Sequence, residues 1–355
     1  MKSEAMKGSR IRIKPINVIG LFLILVALGY IFFWRPRSGP EESKRVDLNQ
    51  LLLTAVQAAE RGGLEVVAVR QSSSLVQSSK GKTKEGLNDP LTEGDMRSHR
   101  VMSSVLRERF PDVNFISEEH DEATASSLQT LSGKHLAMTR TSEVQVRKEL
   151  LNLTPSAVFV SDPADLTIWI DPLDATYEYS MNLTEYVTTM VCVAYHDKPL
   201  LGVIHRPFHQ ETYWGWVGTG VSTSVKQARD KAAVDPDTPK VIVSMSHKGA
   251  VEQVVHEAAP EAKVIDGAGA GYKVFKVLDN TAQAYVHTTA IKKWDICAGN
   301  AILDAVGGVM TTLTGKMLDY SSQKDPKNLD GLLAAATPSR HEEYLKKLSP
   351  KLVNH

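Results

Sequence analysis

The pattern of apolar and polar positions changes character along this chain. Residues 16–34, INVIGLFLILVALGYIFFW, carry no charge and no polar face, and the run is long enough to cross a bilayer as a helix. Tyr30 and Trp34 fall near one end, where aromatic rings favour the interface. The rival reading is a cleaved signal peptide. The run is longer than a signal core, however, and leads into Arg35-Pro36, not a small-residue cleavage site, so an uncleaved anchor is expected. From residue 47 the period becomes helical. Asp47 caps an amphipathic stretch with Leu51, Leu52, Val56 and Ala59 on one face, ended by Gly62-Gly63, and a second stretch follows to residue 73. Residues 80–86, KGKTKEG, read as a charged loop, 92–110 as a helix, and 113–117 as a strand running into Glu118-Glu119.

Residues 121–165 are polar and aperiodic, an expected insertion with helix between 143 and 151. The run 166–171, LTIWID, suits a buried strand ending in an acid. Strands are predicted at 187–195, 200–205 and 212–217, divided by turns at 196–199 and 206–208. Beyond 240 the chain alternates, with strands at 241–244, 263–265 and 284–287 and helices at 248–258, 272–278 and 295–306. This predicts an α+β half (47–235) and an α/β half (236–340) of one domain over 47–340. A tail (1–15), the anchor (16–34) and a linker (35–46) precede it, and a tail (341–355) follows.

Composition narrows the chemistry. Among 355 residues, 41 basic and 41 acidic side chains cancel. That leaves no global basic field and argues against polymeric nucleic acid as a partner. The only cysteines, Cys192 and Cys297, provide no CxxC zinc site and no disulfide framework, and read as buried, inert thiols. Five basic residues before residue 16 (Lys2, Lys7, Arg10, Arg12, Lys14) outweigh the mixed charges after 34. The bias favours a cytosolic N-terminus and a lumenal body. Asn152-Leu153-Thr154 and Asn182-Leu183-Thr184 are glycosylation sequons.

Five acids stand at expected strand and helix ends: Asp95, Glu118, Asp171, Asp174 and Asp295. In Asp171-Pro172-Leu173-Asp174-Ala175-Thr176, a strand delivers one carboxylate to its edge and the proline turns the chain. The second carboxylate then lands three residues on. Clustered carboxylates repel unless a cation or a raised pKa relieves them. Oxygen-only ligands suit Mg2+, and the absence of a His/Cys cluster argues against zinc.

Four motifs stand in order: Asp89-Pro90-Leu91-Thr92-Glu93-Gly94-Asp95, Phe115-Ile116-Ser117-Glu118-Glu119, Trp169 to Thr176, and Trp294-Asp295-Ile296-Cys297-Ala298-Gly299-Asn300, the last followed by Gly307-Gly308. Together they resemble the lithium-sensitive, magnesium-dependent phosphatase superfamily that includes inositol monophosphatase. The resemblance implies a layered αβαβα sandwich. One departure is Ala175, where inositol monophosphatases usually carry glycine. Residues 80–86, 186–194, 269–273 and 291–300 narrow the resemblance to the Golgi branch that removes the 3′-phosphate of adenosine 3′,5′-bisphosphate and also begins with one membrane anchor.

The resemblance implies roles residue by residue. Glu118, Asp171, the Leu173 carbonyl, Asp174 and Asp295 would ligate Mg2+. Asp95 and Thr176 would position and deprotonate the attacking water, without a phosphoenzyme, although Thr176 could equally be a helix cap. Ser244, His247, Gly269 and Lys273 would contact the nucleotide, the helix opened at Gly269-Ala270-Gly271 offering N–H groups to an anion and Lys273 a charge to the 5′-phosphate. The implied function is clearance of the by-product of lumenal sulfotransferases from a Golgi membrane, by a monomer or homodimer inhibited by lithium. The alternatives are an inositol phosphate or sugar bisphosphate substrate, or a non-catalytic membrane-tethered nucleotide sensor.

Overall fold

Alternation within two neighbouring strands explains the layering of the molecule. In Leu166–Asp174, Ile168 and Ile170 enter one hydrophobic core and Trp169 enters another. In Thr188–Tyr195, Val191 and Val193 face the first core, while Met190, Cys192 and Ala194 face the second. Strands with two apolar faces must be covered on both sides. These two strands lie in a six-stranded sheet that runs, from one edge, Gly220–Val221, Glu211–Trp216, Lys198–Arg206, Thr188–Tyr195, Leu166–Asp174 and Asn114–Ser117. Only the last pair is parallel. Helices Leu48–Gln71 and Glu93–Arg109 cover one face. Helices Ala270–Leu278 and Lys293–Ala305 cover the other.

Those last two helices also carry a five-stranded sheet on their far side. Its order is Lys263–Gly267, Lys240–Ser244, Ala284–His287, Leu332–Ala335 and Val309–Thr311. The first three strands are parallel, and Leu332–Ala335 runs antiparallel to both its neighbours. Helices Val251–Ala258 and Pro338–Leu352 close its outer face through Val251, Val254, Tyr344 and Leu348. The resulting layers are αβαβα, as the motifs imply.

The computed structural model describes residues 45–72, 77–82, 88–120, 133–153, 158–231, 237–246 and 250–352. The expected anchor at 16–34 and His247 lie outside them. Among the described residues no helix is long and apolar enough to cross a membrane.

Several expectations are corrected. The helix capped by Asp47, whose Oδ1 accepts from Asn49 N at 2.9 Å, does not stop at Gly62-Gly63 but continues to Gln71. Both glycines serve close approach. A Cβ on Gly62 would lie 2.5 Å from Ser98 Oγ, and one on Gly63 2.6 Å from His205 Cδ2. Lys80 and Lys82 belong to strand Gln77–Lys82, paired with Asn88–Thr92, and not to a loop. Residues 341–352 are no tail, since Tyr344 and Leu348 of an amphipathic helix are buried. Finally, Cys192 and Cys297 are not inert thiols. They form a disulfide with Cα atoms 5.7 Å apart, across 105 residues of sequence.

Candidate active site

The acids converge where the six-stranded sheet meets the central helices. Asp171 is the last residue of its strand in regular register, opposite Met190, and the register slips between it and Asp174. Proline at 172 cannot donate to a ladder, which favours such an irregularity. Ala175 then adopts the left-handed region, φ 67° and ψ 46°, and turns the chain into helix Thr176–Ser180. A Cβ there costs roughly 1–2 kcal/mol. Ala175→Gly is therefore expected to raise the unfolding free energy by ~0.5 kcal/mol after glycine's own entropy cost, with phosphate release unchanged. A fall in stability on denaturant unfolding would refute the strain.

Strand Asn114–Ser117 runs parallel beside Leu166–Asp174, so Glu118 leaves the sheet at the same edge and donates its N–H to Ile170 O at 3.0 Å. Asp295 arrives from the first turn of helix Lys293–Ala305, where Oδ2 accepts from Lys292 N at 3.0 Å. Carboxylate oxygens of Glu118, Asp171 and Asp295 lie within 4.8 Å of one another. Burial, and then the charge of Glu118, push both Asp171 and Asp295 well above the usual carboxylate range. Burial also raises Glu119 to about 7. Lys80 reaches in from the Gln77–Lys82 strand to pair with Glu118, at 2.9 Å, and with Glu119. Burial opposes that charge, but the two carboxylates outweigh it and hold Lys80 protonated. Three crowded carboxylates fit a divalent cation: all donors are hard oxygens, and their mutual repulsion is what a metal relieves.

Asp174 stands apart from that trio. Its Oδ1 accepts from Ala270 N at 3.1 Å, and its Oδ2 from Gly271 N at 2.9 Å and Thr188 Oγ1 at 3.1 Å. The anion at the start of helix Ala270–Leu278 is thus the protein's own carboxylate, a correction to the expectation that these N–H groups await a ligand. Burial still raises Asp174, against the opposing pull of Lys273 and these hydrogen bonds. Gly269 permits the approach: at φ 67°, a Cβ would lie 2.8 Å from Asp174 Oδ2 and 2.9 Å from Tyr186 O.

Asp95 sits in the first turn of helix Glu93–Arg109 and is fully buried. Its Oδ2 accepts from Thr92 N at 2.7 Å. Thr176 Oγ1 lies 3.0 Å from Asp95 Oδ1 and 2.9 Å from the Leu173 carbonyl. One hydroxyl proton can serve only one of these acceptors at a time. Burial raises Asp95 to about 6.

A cleft of about 500 Å³ joins Glu118, Asp171, Asp174, Thr176 and Asp295 to Ser244, Gly269 and Lys273. Ser244 and Lys273 are buried, and burial lowers Lys273 to about 8. Residues the sequence reading missed also line the cleft, among them Lys80, Glu178, Tyr285, His287, Lys292 and Lys327. Tyr285 and His287 alternate along one strand, and two polar tips at that spacing were the available signal.

A model of the inositol monophosphatase family matches residues 47–352. The chain is 40% identical over 364 residues to the Golgi-resident adenosine 3′,5′-bisphosphate 3′-phosphatase of Rattus norvegicus, covering 95% of this chain and 96% of that one. It is 39% identical over 350 residues to inositol monophosphatase 3 of Danio rerio, again covering 95% and 96%. The crystal structure of the extragenic suppressor protein suhB from Bartonella henselae superposes with a TM-score of 0.59 at 15% identity, over 84% of this chain and 98% of that one. That likeness bears on the fold alone.

Proposed function

This chain belongs to the inositol monophosphatase family, a phosphatase family, and from that membership we propose that it hydrolyses the 3′-phosphate of adenosine 3′,5′-bisphosphate to AMP and phosphate. The observation that carries this reading is one cleft that holds both a carboxylate trio fit for a cation and a buried lysine. Glu118, Asp171 and Asp295 form the trio, where a bound cation would take one phosphate, and Lys273, buried on the lining of the same cleft, would take the other. A substrate with two phosphates matches both. Lys80, Lys82, Lys292 and Lys327 on the lining add positive charge that draws such an anion in.

Glu118, Asp171 and Asp295 would hold Mg2+, with Asp174 and the Leu173 carbonyl as the further oxygens of the set. When bound, the cation supplies charge to the phosphate oxygens and lowers the pKa of water. Asp95, held by Thr92, orients Thr176. With the Leu173 carbonyl engaged elsewhere, the Thr176 proton points to Asp95, and the hydroxyl oxygen is left to accept from the attacking water. The water's proton then passes by way of the hydroxyl to Asp95. The family resemblance adds inhibition by lithium. Ser244, His247 and Gly269 would flank the nucleoside.

The disulfide supports an oxidising compartment, in keeping with a Golgi enzyme anchored by residues 16–34 with residues 47–352 in the lumen. Sulfotransferases there would supply the substrate, and the chain would act as a monomer or homodimer. The relative named inositol monophosphatase 3 keeps a second reading in view, an inositol phosphate substrate. The test is phosphate release by the full-length protein with Mg2+ from adenosine 3′,5′-bisphosphate beside inositol monophosphates. Preference for the nucleotide by at least ~10-fold in kcat/KM, about 1.4 kcal/mol, is expected. Preference for the inositol compounds would transfer the assignment to the second reading, and no turnover of either would favour the sensor.

A further inference from the structure

Among the described residues, two fully buried tyrosine hydroxyls have protein partners and a third has none. Tyr179 donates to Val66 O at 2.9 Å, and Tyr320 accepts from Asn300 Nδ2 at 3.0 Å. Tyr285 is 0% exposed, yet its hydroxyl has no hydrogen-bond partner among the described residues. An orphaned buried hydroxyl costs about 1–3 kcal/mol, and phenylalanine would fill the same space without that cost. The residue also lines the cleft. The Lys273 Nζ lies 5.1 Å from the centre of its ring, so a cation and a phenol stand side by side on the cleft wall. The phenol is a donor with no acceptor of its own, the ammonium carries charge beside Asp174, and together they suit an oxyanion.

We infer that the Tyr285 hydroxyl is reserved for the non-scissile phosphate, as a second donor beside the Lys273 charge that the family resemblance already implies there. The inference rests on the bisphosphate reading and deepens it. Lys273 supplies the charge, and Tyr285 supplies a directed hydrogen bond that a substrate with one phosphate cannot use. Tyr285 is therefore a specificity determinant and takes no part in the chemical step. The strand Ala284–His287 that bears it lies in the five-stranded sheet, whereas Asp171 lies in the six-stranded one. The two phosphates are thus read from different sheets.

The experiment compares adenosine 3′,5′-bisphosphate with adenosine 3′-monophosphate on the full-length wild type and on Tyr285→Phe, with a melting curve for each protein. For the bisphosphate, KM is expected to rise about tenfold or more in the variant with kcat little changed, as befits a lost hydrogen bond to a charged group. For the monophosphate, kcat/KM should move less than about twofold. The variant should melt no lower than the wild type, since it loses an unpaired hydroxyl. Equal losses on both substrates would place the hydroxyl at the scissile phosphate and overturn the inference. So would an unchanged preference for the bisphosphate, or a lowered melting temperature with both substrates affected alike. A wild type that turns over neither nucleotide would instead remove the bisphosphate reading and the subsite with it.

Discussion

Asp171→Asn is expected to lower phosphate release by at least ~10³-fold, about 4 kcal/mol of barrier, while leaving the metal-free protein as stable as the wild type near the ordinary carboxylate pKa of about 4 and already more stable than it at neutral pH. Asp171 is 1% exposed. Burial, together with Glu118, Asp174 and Asp295, raises its pKa well above normal. The folded state therefore holds this proton more tightly than the unfolded chain does. Stability is then lost as pH climbs from the ordinary carboxylate value through the folded one. Asp95, raised to about 6, and Glu119, raised to about 7, act in the same direction, so the metal-free wild type should gain stability on acidification from neutrality. Asparagine mimics the protonated acid and still accepts the Leu173 N–H, which lies 3.1 Å from Asp171 Oδ1. Excess Mg2+ should reverse the order. The wild type gains melting temperature because the cation offsets the repulsion, and the variant gains little. Melting curves with and without Mg2+ across pH 5–9 decide the matter. An equal Mg2+ increment in both proteins would show that Asp171 does not hold the metal.

The same acids show what a linear sequence can and cannot carry. Asp171, Glu118 and Asp295 could be found because each closes or opens a regular element, and the ends of such elements are visible in hydrophobic period. The direction of a carboxylate is not. Asp174 belongs to the motif, yet its oxygens are drawn to the N–H groups of Ala270 and Gly271, nearly a hundred residues away. Gly62-Gly63 misled because glycine has two uses, ending helices and admitting neighbours, and only the neighbours Ser98 and His205 distinguish them. Lys80 looked like loop charge until pairing with Glu118 and Glu119 gave it a place. Tyr285 sat in a strand predicted at 284–287 with no role attached to it. Its hydroxyl became informative only once the absence of a partner could be seen. Layering came with the family resemblance of the motifs, and the two-sided strands show why it holds. Pairing across long stretches of chain was not legible, and the disulfide is the extreme case.

Breaking the Cys192–Cys297 link is expected to lower the unfolding free energy by ~2–5 kcal/mol, since closing a loop of about a hundred residues removes a large share of the unfolded chain's freedom. Cys192 faces the central layer from strand Thr188–Tyr195, opposite Trp169 of the strand that bears Asp171. Cys297 lies two residues beyond Asp295 on helix Lys293–Ala305. The bond therefore ties the sheet that delivers one member of the acidic trio to the helix that delivers another. Its loss acts on the site as well as on the fold, because the helix start can then drift relative to Asp171. Cys192→Ala/Cys297→Ala, chosen to leave no polar atom in the core, should unfold at lower denaturant. It should also need more Mg2+ for half-maximal phosphate release, with less change at saturating Mg2+. Reduced wild type should behave like the double variant, and oxidised wild type should not. Two free thiols titrated in the denatured, unreduced protein would show that the bond is not made. Equal denaturation midpoints for the double variant and the oxidised wild type would show that it is made without stabilising anything.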